Sequence, residues 1–170
     1  IKNELNSIHY QHYLSEKYNN DVALIYDYGF TIIDENNLFE CYSIMEKGII
    51  DLFDFWVNCV DDNNTINNNY ISYFILFLCI IIILIQKIEN IHNEDILHLD
   101  IKFENVILIN GTNKNYDIKI TQKMNEDLKL GLEFEGYFKY ILIKYIDFGF
   151  SLKKKNNGFR NNFFKGSPEY

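Results

Sequence analysis

Apolar positions along the chain change period several times, and each change marks an element. Leu5, Ile8 and Tyr13, with His9 and His12, recur at spacings near 3.6 and predict a helix over residues 1 to about 17. Residues 22–26 and 38–45 are strand-like runs, separated by the turn residues Asp34, Glu35, Asn36 and Asn37. Asp51 is suited to cap a helix running to about Val60. An Asn-rich loop follows, and then a second, longer helix over about 70–92. Two short β-like runs come next, 106–109 and 140–146, with a polar, charged stretch of 110–139 between them. The tail from Ser151 is polar and basic. Strands early and helix later predict an α+β fold.

The long helix raises the question of a membrane. Its continuous apolar run, Tyr73 to Ile85, has 13 residues, whereas a span takes roughly 18 to 20. Apolar positions continue beyond it at Ile88 and Ile91. A helix apolar all round is usually buried inside a protein, so a core helix and no membrane span are expected.

Composition narrows the classes. With 170 residues the chain is long enough for one medium domain with a hydrophobic core. A net charge of -8 argues against a nucleic-acid binder, since phosphate neutralisation needs clustered Lys and Arg. The run Lys153, Lys154, Lys155 is short and reads as a solvated loop. Cys41, Cys59 and Cys79 show no metal-like spacing, so buried free thiols in a reducing, intracellular and cytoplasmic setting are expected. The chain does not begin with Met and ends abruptly at Tyr170, which reads as a fragment.

Candidate chemistry lies after the long helix, in His98-Leu99-Asp100-Ile101-Lys102-Phe103-Glu104-Asn105. From one loop, Asp100, Lys102 and Asn105 can supply a carboxylate for a hydroxyl proton, a cation for a phosphate and an amide oxygen for a metal. An Asp-x-Lys alone could be an ordinary loop. Asp147-Phe148-Gly149 closes the second β-like run, and a carboxylate there, followed by a glycine turn, suits Mg²⁺. Gly166-Ser167-Pro168-Glu169-Tyr170 follows at a further interval.

In this order the three motifs resemble the eukaryotic protein kinase family, whose catalytic loop reads His-Arg-Asp-x-Lys-x-x-Asn, and the likeness extends over nearly the whole chain. The resemblance implies a protein kinase-like fold, incomplete: residues of about 1–47 as the end of the small lobe and hinge, about 48–170 as the start of the large lobe through the activation segment. By motif, Asp100 is the base, Lys102 contacts the γ-phosphate of ATP, and Asn105 and Asp147 hold Mg²⁺. Ser167 sits where the family steadies the base and Lys. Met45 falls at the gatekeeper position, the backbone of Glu46 and Gly48 at adenine, and Asp51 near the ribose. Glu4, or the nearer Glu16, matches the Glu of the regulatory helix. The buried helix before the catalytic loop corresponds to 70–92, with His92 as a hydrogen-bonded structural histidine near its end. The implied activity is transfer from ATP to a protein substrate carrying Ser or Thr.

Departures from the family pattern are specific. Leu99 replaces the Arg that grips an activation-segment phosphate, and Phe163 stands where a phosphorylated Thr is expected. Both imply an enzyme not switched by phosphorylation there. Phe103 replaces Pro. The interval from Asn105 to Asp147 greatly exceeds the roughly dozen residues of the family pattern, so about 110–139 reads as an insertion, expected as an exposed excursion. No Gly-rich loop and no Val-Ala-x-Lys strand is present, and without the family's later helices the helix 70–92 is expected to expose part of its apolar surface, so this chain by itself is expected to be insoluble or inactive. A pseudokinase that binds nucleotide or a partner without transfer is the alternative; a small-molecule phosphotransferase and a membrane-anchored protein rank behind it.

Overall fold

The computed structural model describes residues 2–32, 39–61, 70–128 and 130–154. Asp34 to Asn37, the Asn-rich loop at 62–69, Phe163, Ser167 and the Gly166–Tyr170 motif lie outside the described residues, as does the side chain of Glu4. The architecture is mixed α+β with small antiparallel sheets. Contacts divide the chain into two units. The first holds Ile1–Lys47, Ile88–Lys102 and Tyr145–Tyr170; the second holds Gly48–Lys87 and Phe103–Lys144.

The first unit begins with α1 (Lys2–Lys17), which buries Gln11, Leu14 and Ser15. Glu16 is exposed, its carboxylate 3.9 Å from His12 Nδ1. Strand β1 (Ile25–Ile32) pairs antiparallel with β2 (Phe39–Met45), Ile25 opposite Met45 and Ile32 opposite Phe39. The strand expected from Val22 thus starts later. Val22 and Ala23 are fully buried and bond elsewhere: Tyr145 N–H donates to Asp21 O (2.8 Å) and Ala23 N–H to Tyr145 O (3.1 Å). A buried backbone amide needs a partner, and here a remote one is used. Strand β4 (Ile96–Leu97) pairs antiparallel with β8 (Leu152–Lys153) in the same unit.

Glu94 is the polar hub beside β4. Its carboxylate accepts from Lys17 Nζ (2.7 Å), Tyr13 Oη (2.6 Å) and Tyr18 Oη (2.8 Å). These bonds, Lys17 first, hold the carboxyl at a pKa of about 2.

The second unit is a four-stranded sheet in the order β3-β5-β7-β6: β3 (Ile50–Asp51), β5 (Val106–Asn110), β7 (Phe138–Tyr145, whose last residue belongs to the first unit) and β6 (Ile118–Thr121). Val106 to Ile109 are all buried, the pattern of a strand covered on both faces. Helix α2 (Leu52–Asp61) buries Leu52 and Phe55.

One expectation fails in this unit. The stretch 110–139 is no exposed excursion. It supplies β6, on the edge of the sheet, and α4 (Gln122–Asp127), capped by Thr121 Oγ1, which accepts from Met124 N–H (3.1 Å). Ile120, Leu128, Leu130 and Leu132 are buried. Tyr73 Oη donates to Leu128 O (2.7 Å), and the Asn125 amide brackets the Leu132 backbone. The polar average of the stretch concealed these apolar residues. The long helix α3 (Tyr70–His92, its residues from Ile88 in the first unit) has a buried face, as a core helix should, and the partly exposed apolar surface expected without the later helices. Tyr73, Leu76, Ile80, Leu84 and Ile91 are buried, while Ile71, Phe74, Ile75, Leu78, Ile82 and Ile85 are exposed, as are Cys79 and His92. By length and composition α3 is apolar enough to cross a membrane, although its apolar run taken alone falls short.

A buried ion pair joins α3 to the stretch 110–139. Lys87, almost fully buried, lies 2.9 Å from Asp117 Oδ2, which also accepts from Ile143 N–H (2.7 Å). Removing one member of such a pair leaves a charge without compensation. Asp117→Ala is therefore expected to lower unfolding free energy by about 3–5 kcal/mol, measured by urea denaturation, with part recovered when Lys87→Met is added.

Acid should act through Glu94. Its folded pKa lies below the ordinary value of 4.5, so its stabilisation is present above about pH 4.5 and is lost as pH falls towards 2. The difference in Tm between the native protein and Glu94→Gln should hold steady near neutrality and shrink through that window.

Candidate active site

Asp100 and Lys102 follow β4 on an irregular loop, both in the first unit. Asp100 is buried and its Oδ2 lies 3.7 Å from Lys102 Nζ; the Lys102 side chain is partly exposed. Leu99, between His98 and Asp100, takes φ of 63°. For a residue with a branched side chain this left-handed backbone is strained, and such strain persists only where surrounding contacts enforce it.

Those contacts centre on His98, which is fully buried. Asp100 N–H donates to His98 Nδ1 (3.3 Å), so the ring proton rests on Nε2, which donates to the Ile146 carbonyl (2.9 Å). The imidazole also packs 4.5 Å, centroid to centroid, from Phe148 and 5.8 Å from Tyr145. Ser151 Oγ donates to His98 O (3.2 Å), and Lys154 N–H to Asp95 O (2.7 Å) continues the β4–β8 pairing. Backbone, ring and hydroxyl together join loop 98–102 to loop 146–151.

Asp147 lies on the second loop with an exposed side chain and φ of 56°. Its Oδ1 accepts from Gly149 N–H (3.0 Å). A Cβ on Gly149 would come within 2.9 Å of that oxygen, so the glycine permits the carboxylate to fold back over the turn. Within the first unit the structure therefore joins the loops that carry Asp100, Lys102 and Asp147.

Other residues singled out in the sequence stand as follows. Met45 ends β2, half-buried, and Glu46 N–H donates to Leu24 O (2.9 Å), while Glu46 Oε2 accepts from Leu24 N–H (3.2 Å). In the second unit, Gly48 approaches Ile107 so closely that a Cβ would sit 3.1 Å from the Ile107 Cβ. Asp51 Oδ1 accepts from Asp54 N–H (2.8 Å), capping α2 as expected. Asn105 is buried at the end of a 3₁₀ turn, Phe103–Asn105. Phe103, in the place of Pro, packs edge-on against Phe77, which in turn meets Trp56.

Sequence reasoning gave no part to Ser151 or Phe148, and read His98 only as the head of a motif. A serine two residues after a glycine turn carries little local signal, and its partner lies 53 positions away. No protein-family model matches the chain, and no curated protein is significantly similar to it.

Burial lowers the His98 pKa below its ordinary value of 6.5. Because the folded value is depressed, its contribution to stability is present above about pH 6.5 and is lost as pH falls below it. At neutral pH, ¹⁵N NMR should find a neutral ring protonated on Nε2 that resists titration through 6.5. An imidazolium there, or a freely titrating ring, would contradict the hydrogen-bond assignment.

Proposed function

We propose that the chain carries the phosphoryl-transfer centre of a Ser/Thr protein kinase, on a kinase-like fold whose small lobe and hinge end at about residue 47. The observation that carries this reading is the joining of loop 98–102 to loop 146–151 through His98, Phe148 and Ser151. That link gives a buried carboxylate, a neighbouring ammonium and a second carboxylate a shared rigid support. Strained backbone at Leu99 adds to it, since such strain clusters at functional sites.

In this reading Asp100 orients and accepts the proton of the attacking Ser or Thr hydroxyl. Lys102, 3.7 Å from that carboxylate, faces its charge and meets the γ-phosphate of ATP. The oxygen donors Asp147 and Asn105 are hard ligands of the kind Mg²⁺ takes, and it binds through few protein groups plus phosphate and water. Among the described residues no group of three or more His, Cys, Asp and Glu could hold a metal. When bound, Mg²⁺ would neutralise charge on the phosphate oxygens. Glu46 and Gly48 backbone, with Met45, would line the adenine site. Asp51 would reach the ribose with the carboxylate oxygen not committed to the cap. An intracellular protein meeting ATP and protein substrates is implied.

Asp100→Asn, in the protein that carries this chain, should reduce ³²P transfer from ATP to protein by roughly 10²–10⁴-fold and leave nucleotide binding nearly unchanged. Retained transfer would refute the role of Asp100; nucleotide binding with no transfer in the unaltered protein would favour the pseudokinase.

A further inference from the structure

The turn that carries Asp147 is fastened to the opposite loop on both sides of that residue. Before it, the Ile146 carbonyl accepts from His98 Nε2 (2.9 Å). Directly after it, the fully buried Phe148 ring packs 4.5 Å from the imidazole. A further bond comes from Ser151, itself buried, whose Oγ donates to the His98 carbonyl (3.2 Å). Ser151 N–H also donates to Phe148 O (3.0 Å), which closes the turn on itself. All of these residues lie in the first unit.

These fastenings do different things. Ile146 and Phe148 hold the backbone beside Asp147, but the carboxylate is exposed and folds back onto Gly149 N–H (3.0 Å). Its setting therefore depends on the far limb of the turn, 149–151. Gly149 stiffens that limb little, since glycine lacks the Cβ that restricts the backbone. Ser151 pins the end of the limb, and β8 continues from it, with Leu152 opposite Leu97 and Lys154 N–H donating to Asp95 O (2.7 Å). Leu99 brings no cation with which the neighbouring loop could grip a phosphate. The serine hydroxyl needs no modification to act.

Resting on the phosphoryl-transfer reading, we propose that Ser151 is a positioning residue: by bonding the His98 carbonyl it holds the Asp147 carboxylate ready for Mg²⁺ that arrives with nucleotide. It acts through the turn and not by contact with the metal. Its removal would loosen the carboxylate while leaving Asp100 and Lys102 on their own loop.

The test compares the native protein that carries this chain with Ser151→Cys and Ser151→Ala. A thiol fills similar space but is a weak donor, so the series separates the hydrogen bond from filling. Amide hydrogen exchange at 147–153 should quicken roughly fivefold in Ser151→Ala, the worth of one neutral hydrogen bond, with Ser151→Cys between and the amides of β7 unchanged. The Mg²⁺ concentration that half-saturates ATP binding, followed by calorimetry, should rise in the same order. Exchange and Mg²⁺ requirement that stay at the native level in Ser151→Ala overturn the proposal. So does faster exchange with an unchanged Mg²⁺ requirement, which would make the serine structural only, or a Ser151→Cys that matches the native protein. Should Ser151→Ala fail to fold, Ser151→Cys decides by the same readouts. A native protein whose ATP binding ignores Mg²⁺ defeats the phosphoryl-transfer reading and this proposal together; Mg²⁺-dependent binding that is the same in all the proteins defeats this proposal alone.

Discussion

One neutral imidazole has two jobs in the first unit. His98 accepts a hydrogen bond from the Asp100 amide on one side and donates one to the Ile146 carbonyl on the other. Only the Nε2-protonated tautomer satisfies both bonds, and burial against Phe148 and Tyr145 keeps the ring in that state. The left-handed backbone at Leu99 is tolerable because these contacts surround it. The position of Asp100 follows from the ring, and that of Lys102 follows two residues later.

The parts of this arrangement differ in how far they can be read from sequence. The closeness of Asp100 and Lys102 is local, and an Asp-x-Lys loop states it directly. Capping of α2 by Asp51 is local too, and the helix begins where the cap puts it. The role of His98 depends on Ile146, Phe148 and Ser151, which only the tertiary structure brings to it. Val22 and Ala23 look like strand residues, yet Val22 N–H donates to Tyr18 O and Ala23 N–H to Tyr145 O rather than to β2. Propensity gives the backbone shape and leaves its partner open.

Helix α3 and the stretch 110–139 differ in how far composition describes them. In α3 nearly every residue is apolar, so a core helix with part of its surface open is legible, while periodicity cannot say which face is covered. In 110–139 a polar average hid Ile118, Ile120, Leu128, Leu130 and Leu132. The first segment leaves an apolar face open, and the second closes more than its average suggests. A groove between them in the second unit is a product of both.

The ion pair between Lys87 and Asp117 bears on how this sequence can change over generations. A stretch between two strands is ordinarily free to lengthen, shorten or vanish, because nothing outside it depends on its content. Here the counter-charge of a core lysine is housed inside that stretch. A deletion that removed it would leave the Lys87 ammonium buried without its counter-charge, besides removing β6 and α4. The two positions are thus coupled: a change of charge at either one is felt at the other.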